Sequence, residues 1–202
     1  MSKEYRRYRV LFIFLRTVLF PFYRYKIIGR ENIPEGGAML CANHTSFLDP
    51  IFLAIALGIK RHPRFMSKAS LFQVPVIGKI IAAVGSFPVE RGKADINAIK
   101  TAISLLRHGE KVVIFPEGTR VRGDYGVAAK QGAVRIADQV NVPVVPVYIP
   151  GKKRLFGRHT VVIGEPYFVN PEKTKLSGEE YLQRAEELMD KIRALGSQAQ
   201  AR

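Results

Sequence analysis

The sequence predicts an α/β protein: a single-domain αβ sandwich around a mixed, mostly parallel sheet, with a basic helix ahead of it. Three observations carry that expectation. Short apolar and β-branched runs alternate with helical runs from Tyr25 onward, as a layered α/β architecture requires. The 202 residues suit one sizeable core, with no linker or internal repeat to divide it. The first 24 residues differ in character from everything that follows, being basic and rich in aromatics.

Residues 1–30 hold Lys3, Arg6, Arg7, Arg9, Arg16, Arg24, Lys26 and Arg30 against Glu4 alone, +7 of a total net charge of +15. Wound as a helix, Arg6, Arg9 and Arg16 fall within a sector of about 80°, with Leu11, Phe14, Leu15, Val18 and Phe22 opposite. A basic amphipathic helix rich in aromatics suits a membrane interface. The apolar run from Val10 to Tyr23 is 14 residues and is broken by Arg16. A bilayer span needs about 20 apolar residues, and Tyr23-Arg24-Tyr25-Lys26 offers no small-residue cleavage site for a signal peptide. The expectation is therefore residues 1–24 as a membrane-associating segment and 25–202 as the remaining domain. Attachment is expected to be peripheral or monotopic, on the cytoplasmic face of the cell membrane. The alternatives are a helix that packs on the domain, or one that crosses the bilayer with a partner helix.

Strands are expected near Tyr25–Gly29, Ala38–Ala42, Arg64–Ser67, Lys111–Phe115, Val144–Ile149 and Thr160–Gly164. Helices are expected near Pro50–Gly58, Val76–Val84, Ala94–His108, Gly132–Gln139 and Gly178–Leu195. The last has Tyr181, Ala185, Leu188 and Ile192 at packing intervals and should end in a short polar tail. Pro143 and Pro146 mark the run from Val142 to Ile149 as an irregular or edge strand.

Chemistry concentrates in four blocks. His44 and Asp49 stand five residues apart after the apolar run Ala38–Ala42. On a continuous helix five residues turn through about 500°, which points the two side chains apart. Pro50 argues instead for a turn followed by a helix that starts at Pro50, with Asp49 as its N-cap. In a turn the carboxylate reaches back to one imidazole nitrogen and leaves the other as a base. Asp-Pro at a helix start is also common as plain capping. The second block is a buried strand, Lys111 to Phe115, ending in Pro116-Glu117-Gly118-Thr119-Arg120. Polar groups at strand ends are where α/β sheets place ligands, and Arg120 offers a planar fork for phosphate oxygens. The bland alternative is a surface turn with an ordinary Glu117–Arg120 ion pair. The third is Val84–Gly92, an apolar run punctuated by Gly85 and Pro88 and ending in Arg91; the fourth is Val142–Val147.

In this order the four blocks resemble those of the glycerophospholipid acyltransferase family, closest to the bacterial 1-acylglycerol-3-phosphate acyltransferases. The matching positions are His44 and Asp49, Gly85 to Arg91, Phe115 to Arg120, and Val142 to Val147, over roughly residues 25–170. The resemblance implies acyl transfer from a thioester, on coenzyme A or acyl carrier protein, to the free sn-2 hydroxyl of a lysophosphatidic acid, giving phosphatidic acid. It implies His44 as general base, Asp49 as the group fixing its tautomer, and direct transfer without an acyl-enzyme. It places the acceptor phosphate on Arg91 and Arg120 with Lys130 as a helper, and counts Glu117, Gly118 and Thr119 with the acceptor pocket. No cofactor is implied beyond the thioester donor. Glycerol 3-phosphate, another lysophospholipid or a lyso-aminolipid remain as alternative acceptors.

Other features are weaker. No Gly-x-Ser-x-Gly elbow is present, and Cys41, the single cysteine, sits in an apolar run as a small buried residue. One cysteine excludes an internal disulfide and is consistent with a reducing compartment. Gly151-Lys152-Lys153-Arg154, with Arg158, offers contacts to headgroups or a nucleotide phosphate; a solvated loop is the commoner reading of such a run. His62, His108 and His159 are scattered among polar neighbours without metal-ligand spacing. A pI near 10.1 also fits a nucleic-acid or membrane-binding module without catalysis. The absence of a helix-turn-helix, RNA-binding or zinc signature argues against nucleic acid.

Overall fold

A seven-stranded sheet carries the fold in the computed structural model, which describes residues 2–92, 94–120 and 129–200. Its strands are β1 (Arg24–Ile28), β2 (Ala38–Ala42), β3 (Pro63–Lys68), β4 (Phe87–Val89), β5 (Lys111–Ile114), β6 (Val144–Tyr148) and β7 (Arg158–Ile163). They lie in the order β1-β7-β6-β2-β5-β3-β4. Strands β2 to β6 are mutually parallel, β7 is antiparallel to β6, and β1 joins β7 in parallel. The helices are α1 (Lys3–Leu19), α2 (Asp49–Leu57), α3 (Ile77–Ala83), α4 (Ile96–Arg107), α5 (Gly132–Val140) and α6 (Gly178–Gln200). The expected mixed, mostly parallel sheet is what forms.

The sheet is covered on both faces, so its central strands are apolar throughout rather than alternating. Every residue of β2 is buried. Met39 and Cys41 face α4, α5 and α6, packing with Leu106, Val134, Leu188 and Ile192. Leu40 and Ala42 face α2, packing with Phe52, Leu53 and Ala56. Helix α1 packs across α2 through Tyr8 and Phe12, one turn apart, against Ile55. Its base is tied down by Tyr8 stacking on His62, ring centroids 4.5 Å apart, and by an ion pair from Arg64 to Glu4 at 2.6 Å. His62 and His159 are thus buried, not set among polar neighbours: His159 lies against Tyr23 and Phe52.

Four elements differ from expectation. Strand β4 goes unseen in the sequence because it is three residues long and contains Pro88, which an edge strand tolerates. Strand β6 lies between β7 and β2 rather than at an edge. Pro146 is tolerated there because it lies opposite Gly164, just past the end of β7, so the donor it lacks is missing only at the end of the ladder; its carbonyl still accepts the Gly164 N–H at 2.8 Å. Helix α6 continues past Leu195 because Gly196, a stop signal by composition, packs on Tyr148; a Cβ there would sit 2.7 Å from the ring. On α1, Leu11 and Leu15 are half-buried, and the exposed apolar side chains are Val10, Ile13, Phe14 and Val18. Among the described residues no helix is long and apolar enough to cross a membrane.

Candidate active site

Four parallel strands deliver the four blocks to one edge of the sheet. Strand β2 runs out into Asn43 and His44, β5 into Phe115–Arg120, β4 into Glu90 and Arg91, and β6 into Ile149–Lys153. The C-terminal edge of parallel strands is where this architecture binds ligands, because backbone groups and helix N-termini converge there. Strand order brings the β2, β5 and β6 ends side by side, although their residues are far apart in the chain.

The chain leaves β2 in an irregular turn, and α2 begins at Asp49 with Leu48 in the N-cap position. Asp49 therefore does not cap the helix, as the sequence suggested. Its buried carboxylate turns back instead: Oδ2 accepts from Thr45 N at 2.6 Å and Ser46 N at 2.7 Å, and lies 2.9 Å from His44 Nδ1. Burial acts to raise the Asp49 carboxyl, but the His44 hydrogen bond, Lys153 and the Ser46 N–H outweigh it and hold it below the ordinary carboxylate value. An ionised Asp49 assigns the proton to Nδ1 and leaves the lone pair on Nε2.

Lys153 is the residue that sequence reading misplaced. Its side chain is only 3% exposed; Nζ lies 2.5 Å from Asp49 Oδ1 and donates to the Pro150 carbonyl at 2.7 Å. A buried carboxylate and ammonium in contact neutralise each other where neither could stand alone. Asn43 was also passed over. Its amide bonds both backbone groups of Ile149, at 2.8 Å each, and locks the end of β2 to the end of β6. The basic run from 151 to 154 carried no signal separating Lys153 from its solvated neighbours; only the adjacency of β2 and β6 does.

Strand β5 supplies two further constraints on His44. The Phe115 ring stacks on the imidazole, centroids 4.2 Å apart at 20°. Glu117 Oε2 accepts the His44 backbone N–H at 2.7 Å. Glu117 thus joins two sequence blocks and is not paired with Arg120. Burial pushes its carboxyl up to about 7, against the pull of that hydrogen bond and with Asp49 adding to the rise.

The cations lie beyond. Arg120 stacks on the exposed Phe47, its guanidinium carbon 3.4 Å from the ring centroid. The Arg91 guanidinium is pushed down first by burial and then by the positive charge of Arg120. Asp95 orients Arg91's turn: its Oδ2 accepts Glu90 N at 2.8 Å while Oδ1 caps α4 at Ala98 N, 3.0 Å. The Lys130 stem crosses Gly118, where a Cβ would come within 2.7 Å of Cε, and Gly118 holds a left-handed φ of +66°. Thr119 is exposed in the same turn. Cys41 is buried at the centre of β2, and burial pushes its thiol up.

Residues 24–150 match the model of the family described as Acyltransferase. The chain belongs to the acyltransferase family. This acyltransferase is 36% identical over 180 residues to a 1-acyl-sn-glycerol-3-phosphate acyltransferase of Bacillus subtilis, covering 83% of this chain and 89% of that protein. It is 34% identical over 141 residues to a chloroplastic 1-acyl-sn-glycerol-3-phosphate acyltransferase of Arabidopsis thaliana, covering 68% of this chain but 39% of that longer protein. Its structure is similar to the crystal structure of the 1-acyl-sn-glycerophosphate (LPA) acyltransferase of Thermotoga maritima. The TM-score is 0.70 at 26% identity, over 98% of this acyltransferase and 80% of that chain.

Proposed function

We propose that this acyltransferase moves a fatty acyl group from a thioester to the free sn-2 hydroxyl of 1-acylglycerol 3-phosphate, giving phosphatidic acid. The observation that carries the reading is an imidazole oriented by a buried Asp49 on the edge where parallel strands bind ligands, with Arg91 and Arg120 in the loops that leave β4 and β5 at that same edge. His44 Nε2 takes the acceptor hydroxyl proton as its oxygen attacks the thioester carbonyl. Collapse of the tetrahedral intermediate breaks the C–S bond, and the leaving thiolate takes the proton back from His44. Asp49 stays ionised throughout and stabilises the transient imidazolium. Arg91 and Arg120 grip the phosphate, with Lys130 beside them, and Glu117, Gly118 and Thr119 shape the turn against it. Cys41 takes no part, which favours direct transfer. Acyl coenzyme A and acyl carrier protein both supply the required thioester. The reaction takes place at the cytoplasmic face of the membrane, where the acceptor resides.

The test is a purified-enzyme assay crossing lysophosphatidic acid, glycerol 3-phosphate and lysophosphatidylcholine with both donors. Lysophosphatidic acid should be the preferred acceptor. His44→Ala should lower kcat by about 10²–10⁴-fold, the contribution of a positioned proton-transfer base, with the fold intact by circular dichroism. Asp49→Asn should fall in the same range. A fully active His44→Ala enzyme, or an acyl-enzyme trapped on Cys41, would overturn the mechanism.

A further inference from the structure

A groove of about 400 Å³ opens between the flank of α1, strand β1 and the C-terminal end of α2. Four cations line it, Arg16, Arg30, Lys60 and Arg61, and no carboxylate does. Its apolar wall includes Phe12 and Phe20, which flank Arg16 at four-residue intervals along α1. The groove is separate from the His44 site, because α2 begins at Asp49 and ends at Leu57, about 12 Å along the helix axis.

The cations are placed rather than scattered. Arg30 donates through Nε to the Ala56 carbonyl at 2.8 Å and through NH2 to the Ile55 carbonyl at 3.2 Å. Arg61 reaches the Leu57 carbonyl at 3.5 Å. The end of a helix presents about half a negative charge. That accounts for seating two guanidiniums and falls well short of balancing four cations. Among the described residues neither Arg16 nor Lys60 forms an ion pair with a carboxylate. Arg30 is held down by burial first, then by Arg61 and Arg16, so the three guanidiniums repel one another across the groove. Such a cluster favours an anion in the groove.

We propose that the groove binds the phosphate headgroup of an anionic phospholipid, with Phe12 and Phe20 against the glycerol and first acyl carbons. Guanidinium forks match phosphate oxygens in geometry as well as charge. A lipid is favoured over a free anion because the groove's rim continues onto apolar surface. Phe20 is 59% exposed, and Ile13, two turns before it on the same side of α1, is 53% exposed. The inference rests on the membrane-surface reading of α1 and is independent of which acyl group is transferred.

The test is calorimetric titration of the full chain with dihexanoyl phosphatidylglycerol below its micelle concentration, a probe that is neither substrate nor product of the proposed reaction. Dihexanoyl phosphatidylcholine and inorganic phosphate are the parallel probes. One saturable site for phosphatidylglycerol is expected, and it should persist in an Arg91→Ala/Arg120→Ala background. Arg16→Gln with Lys60→Gln should weaken it by about tenfold or more. Arg6→Gln with Arg7→Gln, which removes the same charge from α1 outside the groove, should leave it within about twofold. These four side chains are exposed, so melting temperatures should match. Equal weakening by both pairs would mean diffuse electrostatics, and loss in the Arg91/Arg120 background would move binding to the acceptor site. Inorganic phosphate binding as tightly would make the ligand a free anion. Each of those results, like the absence of a saturable site, overturns the proposal.

Discussion

At the residue scale, two buried carboxyls that both contact His44 respond oppositely to pH. Asp49 is held below the ordinary value, so its contribution to stability is present above roughly pH 4 and is lost as pH falls through its folded value. Glu117 is raised from 4.5 to about 7 by burial, so folding favours its neutral form. The cost of ionising it is absent below pH 4.5, grows up to about pH 7 and is complete above that. Glu117→Gln keeps an oxygen for the His44 N–H and removes that cost. The variant should match the parent's melting temperature at pH 5 and exceed it at pH 8; a variant no more stable at pH 8 would contradict the burial argument. Lys153 is the other residue to change. Lys153→Met strands a buried Asp49 oxygen, at a cost of about 3–5 kcal/mol by denaturant titration. It should also let the Asp49 carboxyl rise, lowering kcat about tenfold or more with the acceptor KM within about twofold. The loss should deepen toward acid pH. A destabilised enzyme with an unaltered pH–rate profile would show that Lys153 only holds the loop.

At the scale of elements, the site exists because β2, β4, β5 and β6 all point the same way. His44 and Arg120 sit at the ends of neighbouring strands, while Arg91 comes from the edge strand β4. Arg91→Ala and Arg120→Ala should each raise the KM for lysophosphatidic acid by about 10–100-fold and leave the thioester KM nearly unchanged, in steady-state kinetics varying each substrate in turn. Lysine at either position should restore part of the loss, since a point charge does not reproduce the fork. An effect confined to the thioester KM would assign the pair to the donor. Most elements were legible in the sequence: β2 and β5 as unbroken apolar runs, and α4 and α6 as periodic ones. Strand β4 was not, because three residues around a proline carry no period. The true end of α6 was not either, because Gly196 reads as a stop until Tyr148 is known to lie against it.

At the scale of the molecule, α1 is both part of the fold and a surface. Its inner face packs through Tyr8 and Phe12, so removing the segment would uncover Ile55 on α2 along with any membrane contact. Substitution on the outer face is the cleaner test. Val10 is 67% and Phe14 60% exposed. Val10→Glu with Phe14→Glu should reduce co-sedimentation with vesicles containing phosphatidylglycerol by about tenfold or more, while the melting temperature moves by no more than a few degrees. Activity on a short-chain soluble acceptor should be retained. Binding by the parent protein should weaken with salt, since each basic residue near an anionic surface is worth about 1 kcal/mol. Unchanged sedimentation of the double variant would remove α1 from the membrane contact.

The sequence by itself determined the sheet class, the order of the four blocks and the candidacy of His44, Asp49, Arg91 and Arg120. The sheet class follows from local apolar runs, and His44, Asp49 and Arg120 from turn chemistry and residue types, all short-range in the chain; Arg91 became a candidate through the resemblance of the four ordered blocks to the family. Tertiary structure alone decided which groups meet. The Asp49 carboxylate turns away from its helix because the Thr45 and Ser46 N–H groups are nearer, Lys153 pairs with it because β6 lies beside β2, and Glu117 binds the His44 backbone because β5 lies on the other side. Burial then changes the chemistry, turning a lysine in a basic run into a counter-ion and lifting one carboxyl to about 7. Strand order and desolvation are long-range properties that no local pattern encodes.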